Sequence, residues 1–399
     1  MTFCSFVIFS SFEFENWYLD EEFKTLAVEL DNLAPITGDV KIYAKWVDAM
    51  VGTEGLIYEA YNDGLAVVGF EPDIAEYSVI KLRIPETYDG KNVLAIGSEV
   101  FNNFAKVIFI ESMVLPSTLV DIAENAFAGC YALKSIENNS NSFVVENGVL
   151  YNADKSVIIL AIPQYENGLD AFTVPASVKK IAIGAFNNVG SLTEISFEAN
   201  SQLTEIGDYA FDGCTNLSKI ALTESLVRIG DYAFRGCVAL GTQSISIPGS
   251  NNLKKVGFGC FDDCLSALNK IGDYLAIGGV LVKYVGTETN LVLDNSIVAI
   301  ADGAFAYSQS DAASSNFEIT KIEVGPDSKL VYIGSKAFAN CSALARIDLK
   351  TSSMVEVEND TFVNVSYSCK LYVNTSLVSI YEANEYYLNS FGAENIIGE

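Results

Sequence analysis

The chain has 399 residues, half of them hydrophobic, and its 51 acidic side chains against 24 basic ones give a formal net charge of −27. The length suits two or three domains or one elongated array, and the hydrophobic content argues against global disorder. The acidity makes nucleic acid a poor partner, and the absence of histidine excludes Ser-His-Asp, Cys-His and His–zinc chemistry.

The chain opens with an apolar run at residues 3–12, FCSFVIFSSF. No basic region precedes this run, and Glu13 and Glu15 follow where a signal peptide would carry a small-residue cleavage site. We therefore favour a β-strand over a signal peptide. No apolar run approaches the roughly 18 residues that span a bilayer, so we expect no membrane insertion of this chain.

Residues 12–46 carry a second set of marks, which are Trp17-Tyr18, Asp20, Phe23, the sequence TGD at 37–39 and the sequence YAKW at 43–46. These marks resemble the C-terminal part of a Listeria–Bacteroides repeat, the internalin B-repeat type. The resemblance implies a small β-rich stalk module over residues 1–47, with its first strands missing or altered. We expect an N-terminally truncated fragment, and we interpret residues 48–92 as a linker or N-terminal cap region with strands.

An internal repeat dominates the chain from residue 93 to about residue 380. Residues 203–213 read LTEIGDYAFDG and residues 226–236 read LVRIGDYAFRG. Copies aligned on the Phe share Ile or Val five residues before it, usually Ala one residue before it, and often Cys three residues after it. The nine Phe positions are Phe101, Phe127, Phe186, Phe211, Phe234, Phe261, Phe305, Phe338 and Phe362.

Several copies continue as L-x-x-I-x-[LF], for example Leu217, Ile220 and Leu222. The alternation predicts a short strand, and the compact DYAF-x-x-C segment predicts a helical or 3-10 turn. A Gly after the Ile, as at Gly207 and Gly230, indicates either positive φ or close approach between coils. Stacked coils would share one core, predicted to include Phe127, Phe186, Phe211, Phe234, Phe305, Phe338, Cys130, Cys214, Cys237, Cys264 and Cys341.

Two spacings between copies are longer, 59 residues from Phe127 to Phe186 and 44 residues from Phe261 to Phe305. Both hold a related insert, at about residues 138–175 and 270–297, and both inserts contain the tripeptide GVL. Each insert consists of two apolar stretches around a short turn. This pattern predicts a β-hairpin.

The consensus I-G-x-x-A-F-x-x-C-x-x-L-x-x-I-x-L-P resembles the BspA-type leucine-rich repeat over about residues 93–380, and residues 381–399 resemble the capping tail of such arrays. The resemblance implies a leucine-rich-repeat-like solenoid, with short parallel strands plus helical or 3-10 turns in each coil and β-hairpin inserts. Both family resemblances imply bacterial proteins that are secreted or lie on the cell surface. Members are associated with adhesion to host matrix proteins or to other cells.

The recurring cysteines favour a buried column of small side chains, with disulfides and metal binding as the alternatives. Adjacent carboxylates, as at Asp262-Asp263, usually face different directions, and a glycosidase pair needs a fixed separation across a cleft. The sequence contains no calcium-loop motif and no phosphate-loop motif. We therefore expect no cofactor, no metal site and no catalytic residue.

The residue between Ile and Leu of each strand should point outward from a presumed concave sheet. We predict a non-enzymatic extracellular binding or adhesion scaffold, monomeric, that presents this face to a host or cell-surface protein or glycan. The alternatives are a structural spacer or stalk of a larger surface protein and, third, an enzyme with carboxylate chemistry. The candidate ligand-binding residues are Glu137, Glu194, Ser196, Lys219, Ala221, Ser246, Arg346 and Asp348.

Overall fold

The structure is a computed structural model that describes residues 53–71, 79–101, 109–165, 168–306 and 319–399, together with the backbone of residues 12–18 and 43–48. Near the N-terminus, β1 (Phe12–Tyr18) pairs antiparallel with β2 (Tyr43–Asp48), with Trp17 opposite Ala44. The other marks of the stalk module, Asp20, Phe23 and the sequence at 37–39, lie outside the described residues, as do Cys4 and most of the run at 3–12. The module stays a prediction.

The solenoid begins N-terminal to the first recognisable repeat, because residues 53–101 already build two separate sheets. In the first sheet, β3 pairs antiparallel with β4, β4 pairs parallel with β7, and β7 pairs parallel with β9. In the second sheet, β8 lies between β5 and β10, and both pairings are parallel. The strands are β3 (Leu56–Tyr61), β4 (Gly64–Phe70), β5 (Val79–Arg83), β6 (Thr87–Tyr88), β7 (Lys91–Ile96), β8 (Phe109–Leu115), β9 (Asp121–Ile122) and β10 (Ser135–Asn138).

The first insert is a three-stranded antiparallel sheet whose last strand joins the solenoid. It consists of β11 (Phe143–Glu146), β12 (Val149–Asn152) and β13 (Val157–Ala161). The pairing of β13 with the next coil is parallel and places Ile158 beside Ile181. The last strand of the insert therefore extends the parallel ladder of the array, and the side chains of Val149, Leu150 and Tyr151 are buried in its core.

Two parallel ladders run along the next coils. Ladder A is built from two-residue strands at the I-G position, and its register aligns Ile181, Ile206, Ile229 and Val256. Ladder B is built from the L-x-x-I-x-L strands and aligns Ile195, Ile220 and Ile245. The strands are β14 (Ala171–Val174), β15 (Lys180–Ile181), β16 (Glu194–Phe197), β17 (Glu205–Ile206), β18 (Lys219–Ala221), β19 (Arg228–Ile229), β20 (Ile245–Ser246) and β21 (Lys255–Val256).

The second insert repeats the first, and the two ladders resume after it. The 3-10 turn Leu265–Ala267 leads into three antiparallel strands, and β24 then pairs parallel with β26 in ladder A. The strands are β22 (Asn269–Ile271), β23 (Tyr274–Ile277), β24 (Val280–Tyr284), β25 (Asn290–Val292), β26 (Ala299–Ile300), β27 (Lys321–Val324), β28 (Tyr332–Ile333), β29 (Arg346–Leu349), β30 (Glu356–Val357) and β31 (Lys370–Val373).

The DYAF-x-x-C segment, which the sequence predicts as a helical or 3-10 turn, consists of consecutive turns. Tyr209 and Gly213 have left-handed φ values of 55° and 73°. The N–H groups of Tyr209, Phe211 and Gly213 donate to carbonyl oxygens of the next coil, each at 2.8 Å. Alternate N–H groups thus leave the coil and form a third ladder, which we call the turn ladder. A helix would direct those groups along its own axis instead.

The core consists of columns of like side chains. Phe186, Phe211, Phe234, Phe305 and Phe338 are almost fully buried, and Phe127 is 7% exposed. Neighbouring rings stack face to face, with centroids 4.9 Å apart for Phe186 and Phe211 and 5.2 Å apart for Phe211 and Phe234. These stacks bind each coil to its neighbours, which is the source of stability in a repeat array.

A helical cap closes the C-terminal end of the columns. It contains α1 (Val378–Ala383), α2 (Glu385–Phe391), two 3-10 turns (Thr375–Leu377 and Ala393–Asn395) and β32 (Ile396–Gly398). The Asn384 side chain accepts the N–H groups of Tyr386 and Tyr387 and so begins α2. The rings of Tyr387 and Phe391 cover Phe362, at 6.0 and 4.9 Å between centroids.

None of the helices in the described part of the chain has the length and apolar character that crossing a bilayer requires.

Candidate functional site

The outward face of ladder B carries the predicted ligand-binding residues. Parallel register places Glu194 beside Lys219, and Ala221 beside Ser246. Lys219 Nζ lies 2.5 Å from Glu194 Oε1, and Ser196 shares a 2.9 Å hydrogen bond with the hydroxyl of Thr173 in the preceding coil. Since adjacent strands of a sheet lie about 4.8 Å apart, the face presents one row of side chains with a regular spacing.

On the strands of ladder B that follow the second insert, the outward charged side chains form ion pairs with one another. Asp348 lies between buried Ile347 and Leu349, so its side chain points outward, yet only 5% of it is exposed. The cause is two cations on neighbouring positions: Lys321 Nζ is 3.1 Å and Arg346 Nε is 2.8 Å from the carboxylate. The Asp348 side chain is therefore not accessible to a ligand, although alternation along the strand places it on the outward face.

Arg346 is held in place from three directions. Besides Asp348, its guanidinium lies over the ring of Tyr372, 3.7 Å from the centroid, and contacts Glu399 at 3.1 Å. Glu137 in β10 is exposed, and Asn139 donates to its carboxylate at 3.4 Å. The charges along ladder B are thus largely paired with one another, and exposed pairs of this kind contribute little stability.

A cleft on ladder A, which the sequence did not indicate, collects charged side chains from distant coils. The cavity has a volume of about 230 Å³, and its lining includes Arg228, Lys255, Asp302, Tyr332 and Glu358. Lys255 Nζ lies 4.7 Å from the Tyr332 ring centroid and 3.1 Å from Glu358, which also accepts the Tyr332 hydroxyl at 2.8 Å. The second insert separates Lys255 from these partners in sequence, so no local motif could have revealed the cleft.

The acids of this cleft differ in their affinity for protons. Burial raises the pKa of Asp302 to about 6, although the N–H of Ser335 donates to its carboxylate at 2.7 Å. Glu358 has a lowered pKa because the Tyr332 hydroxyl and the Lys255 ammonium stabilise its charge. Asp360 accepts the Ser335 hydroxyl through Oδ2, while its buried Oδ1 has no partner among the described residues.

The cysteine column lies in the core. Cys130, Cys214, Cys237, Cys264 and Cys341 are buried and free. Cys214 Sγ donates to the carbonyl oxygen of Phe186 at 3.0 Å, and Cys237 Sγ donates to that of Phe211 at 3.1 Å. Burial raises the pKa of Cys214 to about 12, so its reactive thiolate form is suppressed. Each thiol therefore acts as a small packing group, and those of Cys214, Cys237, Cys264 and Cys341 also donate to a carbonyl oxygen of the coil before.

Clusters with metal-ligand chemistry do not occur in the part of the chain that the structure describes: no three or more His, Cys, Asp or Glu side chains converge there in a way that could hold an ion.

Comparison with known proteins places the repeats in one family model. The model described as "BspA type Leucine rich repeat region" matches residues 78–169, 164–273 and 277–389, in six copies. No curated protein sequence matches the chain.

Solved structures that are similar to this chain include three bacterial leucine-rich repeat proteins. A leucine-rich repeat protein from Eubacterium ventriosum is 21% identical over 73% of this chain and 65% of that one, with a TM-score of 0.42. One from Bacteroides ovatus is 19% identical over 81% and 84%, at 0.34, and a leucine-rich cell surface protein from Faecalibacterium prausnitzii is 20% identical over 88% and 95%, at 0.31. The chain thus spans just under two thirds of the Eubacterium protein.

Proposed function

Because the chain belongs to the BspA-type leucine-rich repeat family, we propose that it is a non-enzymatic, extracellular scaffold that binds a protein or glycan through ladder B. One observation carries the proposal. The columns of Phe, Ile and Cys hold the coils together, and the outward positions of ladder B differ from coil to coil, as the aligned residues Ala171, Glu194 and Lys219 show. A fixed backbone with a variable row of side chains suits recognition of an extended partner surface.

The location outside the cell is supported by the family and by the charge. A net charge of −27 keeps such a chain soluble and away from anionic surfaces. Absence of histidine also removes the side chain that most often acts as a general base. A monomer is expected, because the helical cap covers the C-terminal end of the columns and leaves no open end there for a second copy.

A structural spacer is the second candidate, and the ion pairs of ladder B favour it. Lys321, Arg346 and Asp348 satisfy one another, and Lys219 is paired with Glu194. A face whose charges are already paired gains less from a charged ligand than an unpaired face would. In the spacer role, the array would hold another module of the parent protein at a distance.

The two roles can be separated by binding measurements on the full chain. We would screen it against arrays of extracellular matrix proteins and glycans, and then compare Ser246→Arg with Gln202→Arg. Both variants add one positive charge at an exposed position, but only Ser246 lies on ladder B. The scaffold role predicts that Ser246→Arg weakens binding about tenfold or more while Gln202→Arg leaves it unchanged. Absence of any ligand, or equal binding by both variants, would instead support the spacer.

A further inference from the structure

The turn ladder carries two stacked tyrosine rings at its surface. Tyr209 and Tyr232 each lie two residues before the core Phe of their coil, and their ring centroids are 5.2 Å apart with nearly parallel planes. The Arg235 guanidinium lies 5.4 Å from the Tyr209 centroid and 5.0 Å from the Tyr232 centroid. Tyr209 is still 38% exposed, although Tyr232 covers one face of its ring. The stack and the guanidinium therefore hold an exposed aromatic ring in a fixed orientation.

The coil before Tyr209 has glycine in the same repeat position. Gly184 lies two residues before Phe186, and its left-handed φ of 66° is close to the 55° of Tyr209. Because glycine has no side chain, the column of rings ends at Tyr209 and leaves one face of that ring uncovered. Gly184 and Tyr209 both line a cavity of about 310 Å³, which we call the Tyr209 cavity.

The Tyr209 cavity is a depression in the surface and not a break in the backbone. The N–H of Ala161 donates to the carbonyl oxygen of Ala185 at 2.6 Å, and the N–H of Gln164 donates to that of Leu133 at 3.0 Å. The first insert is thus bonded to the coil before it and to the coil after it. Recognition of a ligand in the cavity therefore depends on side chains.

Planar polar side chains line the same cavity. The Asp212 carboxylate accepts two hydrogen bonds from Arg235, at 2.8 and 2.6 Å, and one from the Asn187 amide at 3.3 Å. The Asn125 amide donates to the Glu99 carboxylate at 3.0 Å. A carboxylate has about four acceptor sites, and an amide has two donor hydrogens and an acceptor oxygen. These pairs therefore orient one another and retain capacity for the hydroxyl groups of a ligand.

We propose that the Tyr209 cavity binds a neutral glycan, with one pyranose ring lying on the uncovered face of Tyr209. A glucose-type pyranose presents C–H groups on its faces, and their partial positive charge is attracted by the negative face of an aromatic ring. The hydroxyl groups at the edge of the sugar both donate and accept hydrogen bonds, which suits neighbouring amides and carboxylates. Tyr131, which is 52% exposed, adds a second ring to the lining.

The charges of the cavity favour an uncharged ligand. Arg235 is paired with Asp212, and Glu99 is exposed. These carboxylates and the net charge of −27 repel an acidic sugar. An extended peptide that adds as a strand fits less well, because the insert is already bonded on both sides. The cavity lies on the turn ladder and not on ladder B, so this inference goes beyond the proposed function and holds whether or not ladder B has a ligand.

Calorimetric titration of the full chain with neutral trisaccharides tests the proposal. The probes are cellotriose, maltotriose and chitotriose, and at least one of them should bind at concentrations below about 10 mM. The acidic trisaccharide trigalacturonate should not bind. Tetramethylammonium, a cation that binds aromatic rings, should not bind either. Failure of all three neutral sugars, or tighter binding of either charged probe, would overturn the proposal.

Gly184→Tyr and Lys336→Tyr form a matched pair that locates the binding. Both positions lie two residues before a core Phe, and their left-handed φ values of 66° and 52° resemble those of Tyr209 and Tyr232. A Cβ atom added to Gly184 meets nothing among the described residues nearer than Asn125 Oδ1, at 3.2 Å, so the turn accommodates the new side chain. The new ring should extend the column, fill the cavity and weaken glycan binding about tenfold or more. Lys336→Tyr should leave binding unchanged.

A second pair removes a ring and adds nothing to the cavity. Tyr209→Asn and Lys336→Asn place the same residue at the same repeat position, and Asn tolerates left-handed φ. Tyr209→Asn should weaken binding about tenfold, whereas Lys336→Asn and the ladder B variant Ser246→Arg should leave it unchanged. Equal binding within either pair would contradict a site at Tyr209. Loss of binding in Ser246→Arg would assign the glycan to ladder B instead.

Discussion

A column of aspartates next to ladder A illustrates how single residues bridge coils. The Asp208 carboxylate accepts the N–H of Asp231 at 3.0 Å, and the Asp231 carboxylate accepts the N–H of Phe258 at 2.9 Å. Asp302 accepts the N–H of Ser335 at 2.7 Å after the second insert. Each carboxylate thus satisfies a backbone donor of the following coil, at the cost of burying a charge. Asp208 and Asp231, which follow Gly in two copies of the repeat, and Asp302, which follows Ala301, share this structural role.

Asp302→Asn should make the protein more stable at neutral pH. The folded-state pKa of about 6 lies above the usual value of 3.8, so the native state binds more protons than the unfolded state between these pH values. The stabilisation is therefore fully present below about pH 4 and is lost as the pH rises through 6. Asn cannot ionise, yet its amide oxygen can still accept from Ser335. We expect a gain of about 1–3 kcal/mol in urea unfolding at pH 7.5 and little difference at pH 4.

Asp294→Asn is the matched control for this pH dependence. The Asp294 carboxylate accepts the hydroxyl and N–H of Ser296, and these bonds lower its pKa. Its contribution to stability is therefore lost only as the pH falls through that lowered pKa, and its removal should not stabilise the protein at pH 7.5. If Asp294→Asn stabilised the protein at pH 7.5, or if Asp302→Asn did not, the ionised Asp302 carboxylate would not be destabilising the folded state.

At the scale of one coil, the Gly that follows each Ile is required by distance and not by backbone conformation. Gly207, Gly230 and Gly257 have ordinary φ values, since none of them is among the residues with positive φ. A Cβ atom added to Gly230 would lie 2.2 Å from Asp208 Oδ1 and 2.5 Å from the Asp208 nitrogen. Of the two explanations that the sequence left open, the structure supports close approach between coils.

Gly230→Ala should therefore destabilise the array by about 1–3 kcal/mol, because the added methyl group must displace backbone of the preceding coil. Gly249→Ala is the control, since Gly249 has no atom within 4 Å of an added Cβ and no positive φ. The control should be neutral or stabilising by a few tenths of a kcal/mol or more. The measurement is the midpoint of chemical unfolding for both variants. Equal midpoints would show that the coils are spaced more widely than the ladders indicate.

The elements divide clearly into those that local pattern predicts and those that it does not. The fold class was predicted, because the copies align on a shared Phe and the alternation of Ile220 and Leu222 indicates a strand that recurs in several of them. Ladder A was missed, since a two-residue strand has no periodicity. The turns were predicted, but their backbone conformation was not, because left-handed φ at Tyr209 is uncommon for a residue of its type.

The candidate site shows the same division. Alternation along each strand was enough to place Glu194, Ser196 and Lys219 on one face. It could not show that Lys321 also contacts Asp348, because these two residues come from different coils that only stacking brings together.

On the scale of the whole molecule, the core is divided in two by the first insert. The buried residues form one cluster from Leu56 to Ile162 and a second, larger one from Val149 to Ile396. The insert takes part in both, because Val149 and Tyr151 face the larger cluster while Leu150 between them faces the smaller. The three-stranded sheet of the first insert therefore separates two hydrophobic cores.

This division predicts that the two parts of the array can be destabilised separately. Leu119→Ala, in the smaller cluster, should cost about 2–5 kcal/mol, and Phe211→Ala, in the larger, about 3–5 kcal/mol, because both side chains are fully buried. Contacts in a repeat array reach only neighbouring coils, and the two clusters of buried side chains are separate. Hydrogen exchange in native buffer should therefore rise in residues 109–136 for Leu119→Ala and in residues 203–256 for Phe211→Ala, each with the other region unchanged. A uniform rise across both regions in either variant would show that the insert transmits unfolding, and that the array behaves as one cooperative unit.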